Sequence, residues 1–212
     1  MDYPLLLRQL AARFPARLVA AFEQVRRDRF VLPEDSCHAW VDAPLDIGHG
    51  QTISQPTTVF IMLEALDPRP GDKVLEVGAG SGWNAALLGN LVGEGGEVWS
   101  TEIIPSLAQS ARANIRRSGM QNVHVLTHDG SIGLEEHSPY DRIIVTAACP
   151  ELPLRLLTQL RDNGKLIAPV ATRMGAQEMI LVERRGTTYV NKGLGHFVFV
   201  PLRGKAGYAS GR

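Results

Sequence analysis

Three observations predict an α/β fold, doubly wound around a mostly parallel sheet. Strand-like and helix-like segments alternate from Thr57 to Ala171, the pattern of strand–helix crossover units. A glycine-rich stretch, VLEVGAGSG, runs from an apolar strand straight into a helix, where ligands of such sheets bind. Beyond Gln177 the text holds strand patterns with no room for a crossover helix of roughly a dozen residues, so an antiparallel hairpin closes one sheet edge.

The elements follow in chain order. PARLVAAFEQVRRDRF repeats Leu18, Phe22 and Val25 at helical spacing until Pro33 stops the pattern. Leu32 to Pro56 reads as loop, and GHGQTISQP within it mixes glycines and hydroxyls as neither helix nor strand favours. Next come helix VFIMLEAL, buried strand DKVLEVG, helix WNAALLGNLVG, strand GEVWSTE and helix PSLAQSARANIRRSG, ended by Gly119. Strands NVHVLTHD and YDRIIVTAA, helix LPLRLLTQL and strand GKLIAPVA complete the alternation. EMILVERRGTTYVNKGLGHFVFVPL forms the hairpin, and KAGYASGR is a fraying tail. The expected organisation is one domain, 1–212, with N-terminal helices and a loop (1–56), a ligand-binding core (57–175) and C-terminal antiparallel strands with the tail (176–212).

The 22 basic and 22 acidic residues cancel, so no global field draws the protein to nucleic acid or anionic lipid. The densest basic cluster, Arg26, Arg27 and Arg29, reads as a solvated helix face. Cys37 and Cys149 form no CxxC pair, and the six histidines show no metal-ligand spacing, so neither a disulfide framework nor a metal site is expected. The first residues lack a secretory pattern, and no run approaches the ~18 apolar residues of a membrane span. A cytoplasmic protein is expected, acting without membrane or nucleic acid and as a monomer.

In VLEVGAGSG, Gly78, Gly80 and Gly82 let a ligand approach the backbone closely. A dinucleotide fingerprint wants a small residue at position 83 where helix meets strand, and Trp83 disfavours NAD. Glu102 ends the second strand about 20 residues on, the spacing of an acid that accepts from ribose hydroxyls. Asp129-Gly130, after the third strand, can set a carboxylate and an amide against an adenine edge. Taken singly, Glu102 could be a solvated strand-end acid and Asp129-Gly130 an ordinary turn. Together they aim three strand ends at one crevice.

This pattern resembles the class I S-adenosylmethionine-dependent methyltransferases, whose seven-stranded Rossmann-like sheet ends in an antiparallel hairpin. DAPLDIGHGQTISQP, VLEVGAGSG, THDGSIG, SPYDRIIVTAACPELP, LLTQLRDNGKLIAPV and FVFVPL, spanning Phe14 to Leu202, resemble more specifically the protein-L-isoaspartate (D-aspartate) O-methyltransferases. Thr57 departs from the aromatic residue or histidine common there, Trp83 from a common tyrosine, and Glu76 from the aspartate of some members.

The resemblance implies methyl transfer from S-adenosylmethionine, leaving S-adenosylhomocysteine, to the α-carboxylate of isoaspartyl residues in proteins and peptides. It implies cofactor contacts at Glu76, Gly78, Ala79, Gly80, Ser81, Gly82, Glu102, Ile103, Asp129 and Gly130, and acceptor contacts at Thr52, Ile53, Ser54 and Gln177. FVFVPL would line the peptide groove. An acceptor with a pKa of ~4 is already ionised and needs no base. Opposite charges vanish as the methyl moves, so a cationic clamp would hold the ground state more tightly than the transition state. Neutral donors suit the step, and Ser54 is expected to orient the acceptor carboxylate. Capping of the helix near Pro56 is the competing role for Ser54, and ordinary loop hydrogen bonding the expected one for His49. Two other functions stay open: methylation of another acceptor, and an adapter that binds isoaspartate without turnover.

Overall fold

The computed structural model describes residues 2–208. Two short helices come first, α1 (Tyr3–Ala11) and α2 (Ala16–Gln24). The Asp2 carboxylate accepts from the Leu5 N–H at 2.9 Å, satisfying one free donor of the first turn. Leu6 and Leu10 bury the inner face of α1, and Leu18 and Phe22 that of α2, each pair at i, i+4 spacing.

Leu32 to Pro56 differs from the loop expected of it. It holds a 3₁₀ helix, Pro33–His38, and a hairpin of β1 (Leu45–Gly48) and β2 (Gln51–Ile53). GHGQTISQP is the turn and second strand of that hairpin. His49 and Gly50 both have positive φ, 58° and 66°, as the tightest hairpin turns demand. Strands of four and three residues are too short to show an alternating pattern, so the sequence signal was missing there.

Helix α3 (Pro56–Leu66) leads into the sheet strands β3 (Lys73–Val77), β4 (Glu97–Glu102) and β5 (Val123–Thr127). Between them run α4 (Trp83–Val92) and α5 (Pro105–Arg117). Then follow β6 (Tyr140–Val145), α6 (Leu154–Thr158), β7 (Leu160–Ala171), β8 (Gln177–Arg185) and β9 (Thr188–Phe197). The seven-stranded sheet has the order β5-β4-β3-β6-β7-β8-β9. β3 to β7 pair in parallel, whereas β8 pairs antiparallel with both β7 and β9. The expected α/β class and C-terminal hairpin are both present.

Alternate residues of the central strands feed two cores. Val74, Ile144 and Ile167 pack with Phe22, Phe60 and Trp83, while Leu75, Ile143 and Leu166 pack with Leu156 and Leu157. Helix α4 is buried nearly all round, because α2 covers the side turned away from the sheet. The strand order reverses at β3, so helices leave opposite faces at the ends of β3 and β6, and a crevice opens there.

Two expectations fail at the surface. Arg27 is no solvated residue; it is fully buried, and its guanidinium donates to the carbonyls of Ala39, Val41, Ala43 and Ser54 at 2.8–3.2 Å. The helix ends before it, so helical spacing does not decide where it points. The tail is not frayed from Lys205 to Tyr208: the Lys205 N–H donates to Asp129, the Ala206 N–H to Ser131, and the Tyr208 N–H to the Leu202 carbonyl. Its last part, 209–212, lies outside the described residues.

Arg27→Met keeps the apolar stem but leaves four carbonyls without their donor. It should lower unfolding free energy by about 3 kcal/mol or more, read from the midpoint of urea denaturation at unchanged slope.

Candidate active site

The crevice holds about 780 Å³ of space between atoms, part of it open to solvent. The turn after β3 forms its floor. Gly78, Gly80 and Gly82 all have positive φ, which excludes ordinary side chains without strain. A Cβ on Gly78 would also collide with the Thr146 hydroxyl, and one on Gly130 with the Thr101 hydroxyl. The main chain is therefore bare on two sides of the cavity.

Glu102 fixes that turn. One carboxylate oxygen accepts from the Gly80 N–H at 2.9 Å and the other from the Ile104 N–H at 3.0 Å. Each oxygen keeps a second acceptor position, and Glu102 lines the cavity beside Ile103. Among the described residues, Glu102 and Arg203 are the only formally charged ones in the lining.

Glu76 does not reach the cavity. It lies wholly buried beneath the glycine turn, accepting from the Ser100 hydroxyl and, at 2.7 Å, from the Asn84 amide. Burial pushes its carboxyl up to about 7, opposed by the Ser100 and Asn84 hydrogen bonds and assisted by the charge of Glu102. Asn84, in the first turn of α4, is on the cavity wall, and its buried amide oxygen has no donor among the described residues.

Asp129 is not among the residues that line the cavity. Its carboxylate accepts from the Ser131 N–H and hydroxyl and from the Lys205 N–H, and though its burial acts the other way, these bonds hold the group below its ordinary pKa. Gly130 and Ser131 line the cavity in its place. Gln177 is likewise occupied, its amide donating to the Phe199 carbonyl and accepting from the Phe199 N–H. It pins the FVFVPL segment and is not in the groove wall.

The β1–β2 hairpin closes the cavity from the other side, contributing Gln51 and the three predicted acceptor residues Thr52, Ile53 and Ser54. The His49 ring nitrogen Nε2 meets the Ser106 hydroxyl at 2.9 Å, tying the hairpin tip to the start of α5. Ser54 does not cap α3. The Thr57 N–H and hydroxyl both bond to Asp42, at 2.8 and 2.7 Å, so a distant carboxylate caps that helix. No hydrogen bond engages the Ser54 hydroxyl among the described residues, while Arg27 holds its carbonyl.

A second groove runs outside the hairpin, between α3 and the segment after β9. It shares Thr52, Ser54, Thr146 and Val200 with the cavity, so the two spaces meet at those side chains. Thr146 and Asn84 escaped the sequence reading. Thr146 ends the strand beside the switch point and Asn84 opens the helix after the glycines, so both positions were inferable from topology alone. No group of three or more potential metal ligands exists among the described residues.

A switch-point crevice with a bare glycine turn, a ribose-spaced acid and a hairpin wall defines a class I methyltransferase fold. The family model for protein-L-isoaspartate (D-aspartate) O-methyltransferase matches residues 6–207, and the chain belongs to that family. Similar proteins include a protein-L-isoaspartate O-methyltransferase of Pyrococcus horikoshii, 48 % identical over 89 % of this chain and 85 % of its own. Another, from Archaeoglobus fulgidus, is 45 % identical over 100 % of this chain and 99 % of its own. A solved protein-L-isoaspartate O-methyltransferase superposes with a TM-score of 0.88 at 30 % identity, covering 96 % of this chain and 67 % of that one. A Plasmodium falciparum structure holding S-adenosyl-L-homocysteine has a TM-score of 0.85 at 24 % identity, covers 96 % of this chain and 99 % of that one, and shares the fold.

Glu76 supplies a pH test. Its folded-state pKa is raised, so its contribution to stability is complete below about 4.5 and is lost as pH rises through about 7. Glu76→Gln removes that loss. The difference in unfolding free energy, variant minus wild type, should therefore grow across this window when measured by denaturant melts at stepped pH.

Proposed function

We propose that this chain is a protein-repair enzyme, transferring a methyl group from S-adenosylmethionine to the free carboxylate, α in L-isoaspartyl and β in D-aspartyl residues, of damaged proteins and peptides. The junction of cavity and groove at Thr52 and Ser54 carries the reading: an inner space floored by the bare glycine turn and Glu102 opens through neutral side chains onto an outer groove open to a peptide. In the resulting ester the neighbouring backbone nitrogen attacks the ester carbonyl and expels methanol, and water then opens the succinimide, partly to normal aspartate.

The residues suit the donor. Glu102 has acceptor positions left for two ribose hydroxyls, and Gly130 lines the cavity on the side left for the adenine. The glycine turn from Gly78 to Gly82, including Ala79 and Ser81, admits the methionine end, where the unpartnered Asn84 oxygen suits a cation. Glu76 holds the Asn84 amide from below and so acts on that end indirectly. When bound, S-adenosylmethionine supplies an electrophilic methyl on a sulfonium centre.

Two hydroxyls at the junction differ in what they can offer. The Thr146 proton is committed to the carbonyls of Gly78 and Val77, at 2.7 and 3.1 Å, so toward the cavity it presents only lone pairs. Ser54 keeps its proton and can donate it to the acceptor carboxylate. Arg27 holds Ser54 by the main chain, which leaves the side chain free while fixing its place. A neutral donor orients one carboxylate oxygen without the ground-state grip of a cation. The hairpin above the junction keeps water from the reacting atoms. Balanced charge and a groove lined by hydroxyl and apolar groups support polypeptide substrates, and sparse, unpaired cysteines support a cytoplasmic setting.

Incubation of an isoaspartyl peptide with labelled S-adenosylmethionine should give a base-labile methyl ester and S-adenosylhomocysteine. Cofactor binding without ester would leave only an adapter. Ser54→Ala should reduce turnover about 100-fold, the scale of lost alignment, with the cofactor dissociation constant nearly unchanged. Loss of both together would make Ser54 a structural residue.

A further inference from the structure

The outer groove has a polarity that the reaction does not require. Its walls are hydroxyl, amide and apolar groups, with no carboxylate among them. Among the described residues, one fully charged side chain lines it: Arg13, from the corner between α1 and α2. His196 and Phe197, at the end of β9, and Val198 beyond it also line the groove.

Arg13 is one of the arginines that form no ion pair among the described residues. Arg17, Arg26, Arg69, Arg161 and Arg185 each pair with an aspartate or glutamate, whereas no carboxylate of the described residues pairs with Arg13. Its guanidinium carbon lies 5.2 Å from the centre of the Phe14 ring. Phe14 is itself buried, its ring 5.1 Å from that of Phe60. Such a stacked guanidinium is partly ordered before any partner arrives and keeps its planar donor fork for a carboxylate.

We propose that Arg13 selects isoaspartyl sites that carry an acidic side chain one or two residues away. This rests on the methyltransferase reading and names the substrates it favours. The charge cannot serve the reacting carboxylate: Arg13 lines the outer groove alone and is absent from the cavity and from the junction residues it shares. A cation at the junction would oppose the transfer, whereas one displaced along the peptide adds binding equally before and during it, which lowers KM and leaves kcat alone. Because the chain has no net charge, this preference cannot come from a general field.

The test is a panel of isoaspartyl peptides with aspartate, asparagine or lysine placed on either side of the modified residue. The KM of the best acidic-flank peptide should be about two- to fivefold below that of its asparagine partner, the scale of an exposed ion pair, and the gap should shrink with salt. Arg13→Gln should bring that ratio toward one, and Arg13→Lys should keep part of it. A flat panel in the wild type, or a preference that survives in Arg13→Gln, overturns the proposal. Absence of methyl ester on every peptide, neutral ones included, would instead overturn the methyltransferase reading.

Discussion

The Arg27 guanidinium sits at 0 % exposure, and its hydrogen bonds all run to main-chain carbonyls rather than to an acid. Burial lowers its pKa to about 10, with the charge of Asp42 opposing the shift, so it stays protonated at neutral pH. Its carbon is 5.5 Å from the centre of the Trp83 ring, the first residue of α4. One side chain therefore joins three pieces: the segment before the hairpin, the residue after it, and the helix that follows the glycine turn. Main-chain oxygens at 39, 41, 43 and 54 cannot all approach one point unless that segment folds back over the sheet. The acceptor side of the site depends on this constraint.

Charge is distributed to match the chemistry. The junction where a carboxylate and a sulfonium would meet has only hydroxyls and an apolar side chain, Val200. Ionisable groups stand back from it: Glu102 beside the glycine turn, Glu76 sealed below that turn, Arg13 out along the groove. Neutral surroundings at the reacting atoms and fixed charges around them are what a reaction that destroys charge calls for.

Much of this was legible in the text of the chain. Strands such as KVLEV and helices such as WNAALLGNLV are long and periodic enough to identify themselves, and the glycines with Glu102 gave the crevice. The hairpin was not legible, because three- and four-residue strands show no period. Arg27 read as surface since a basic residue after a helix normally points to water, and only the carbonyls of residues 39–54 reverse that. Asp129 and Gln177 sit near the site by sequence, yet both spend their polar atoms on the chain itself. Motif position gave the neighbourhood, whereas the direction of a side chain depended on partners some 20 to 75 residues away.

The clasp between the Asp129 loop and residues 205–206 has a consequence for how the protein is made. Val200 to Arg203 wall the cavity, and the amides just beyond them are stitched to Asp129 and Ser131. A chain emerging from the ribosome with its hairpin, glycine turn and first five sheet strands in place still has an open flank. The cavity has its full lining only once residues 200–206 have met the Asp129 loop, some 75 positions earlier in the chain, so translation must run that far before this wall can form.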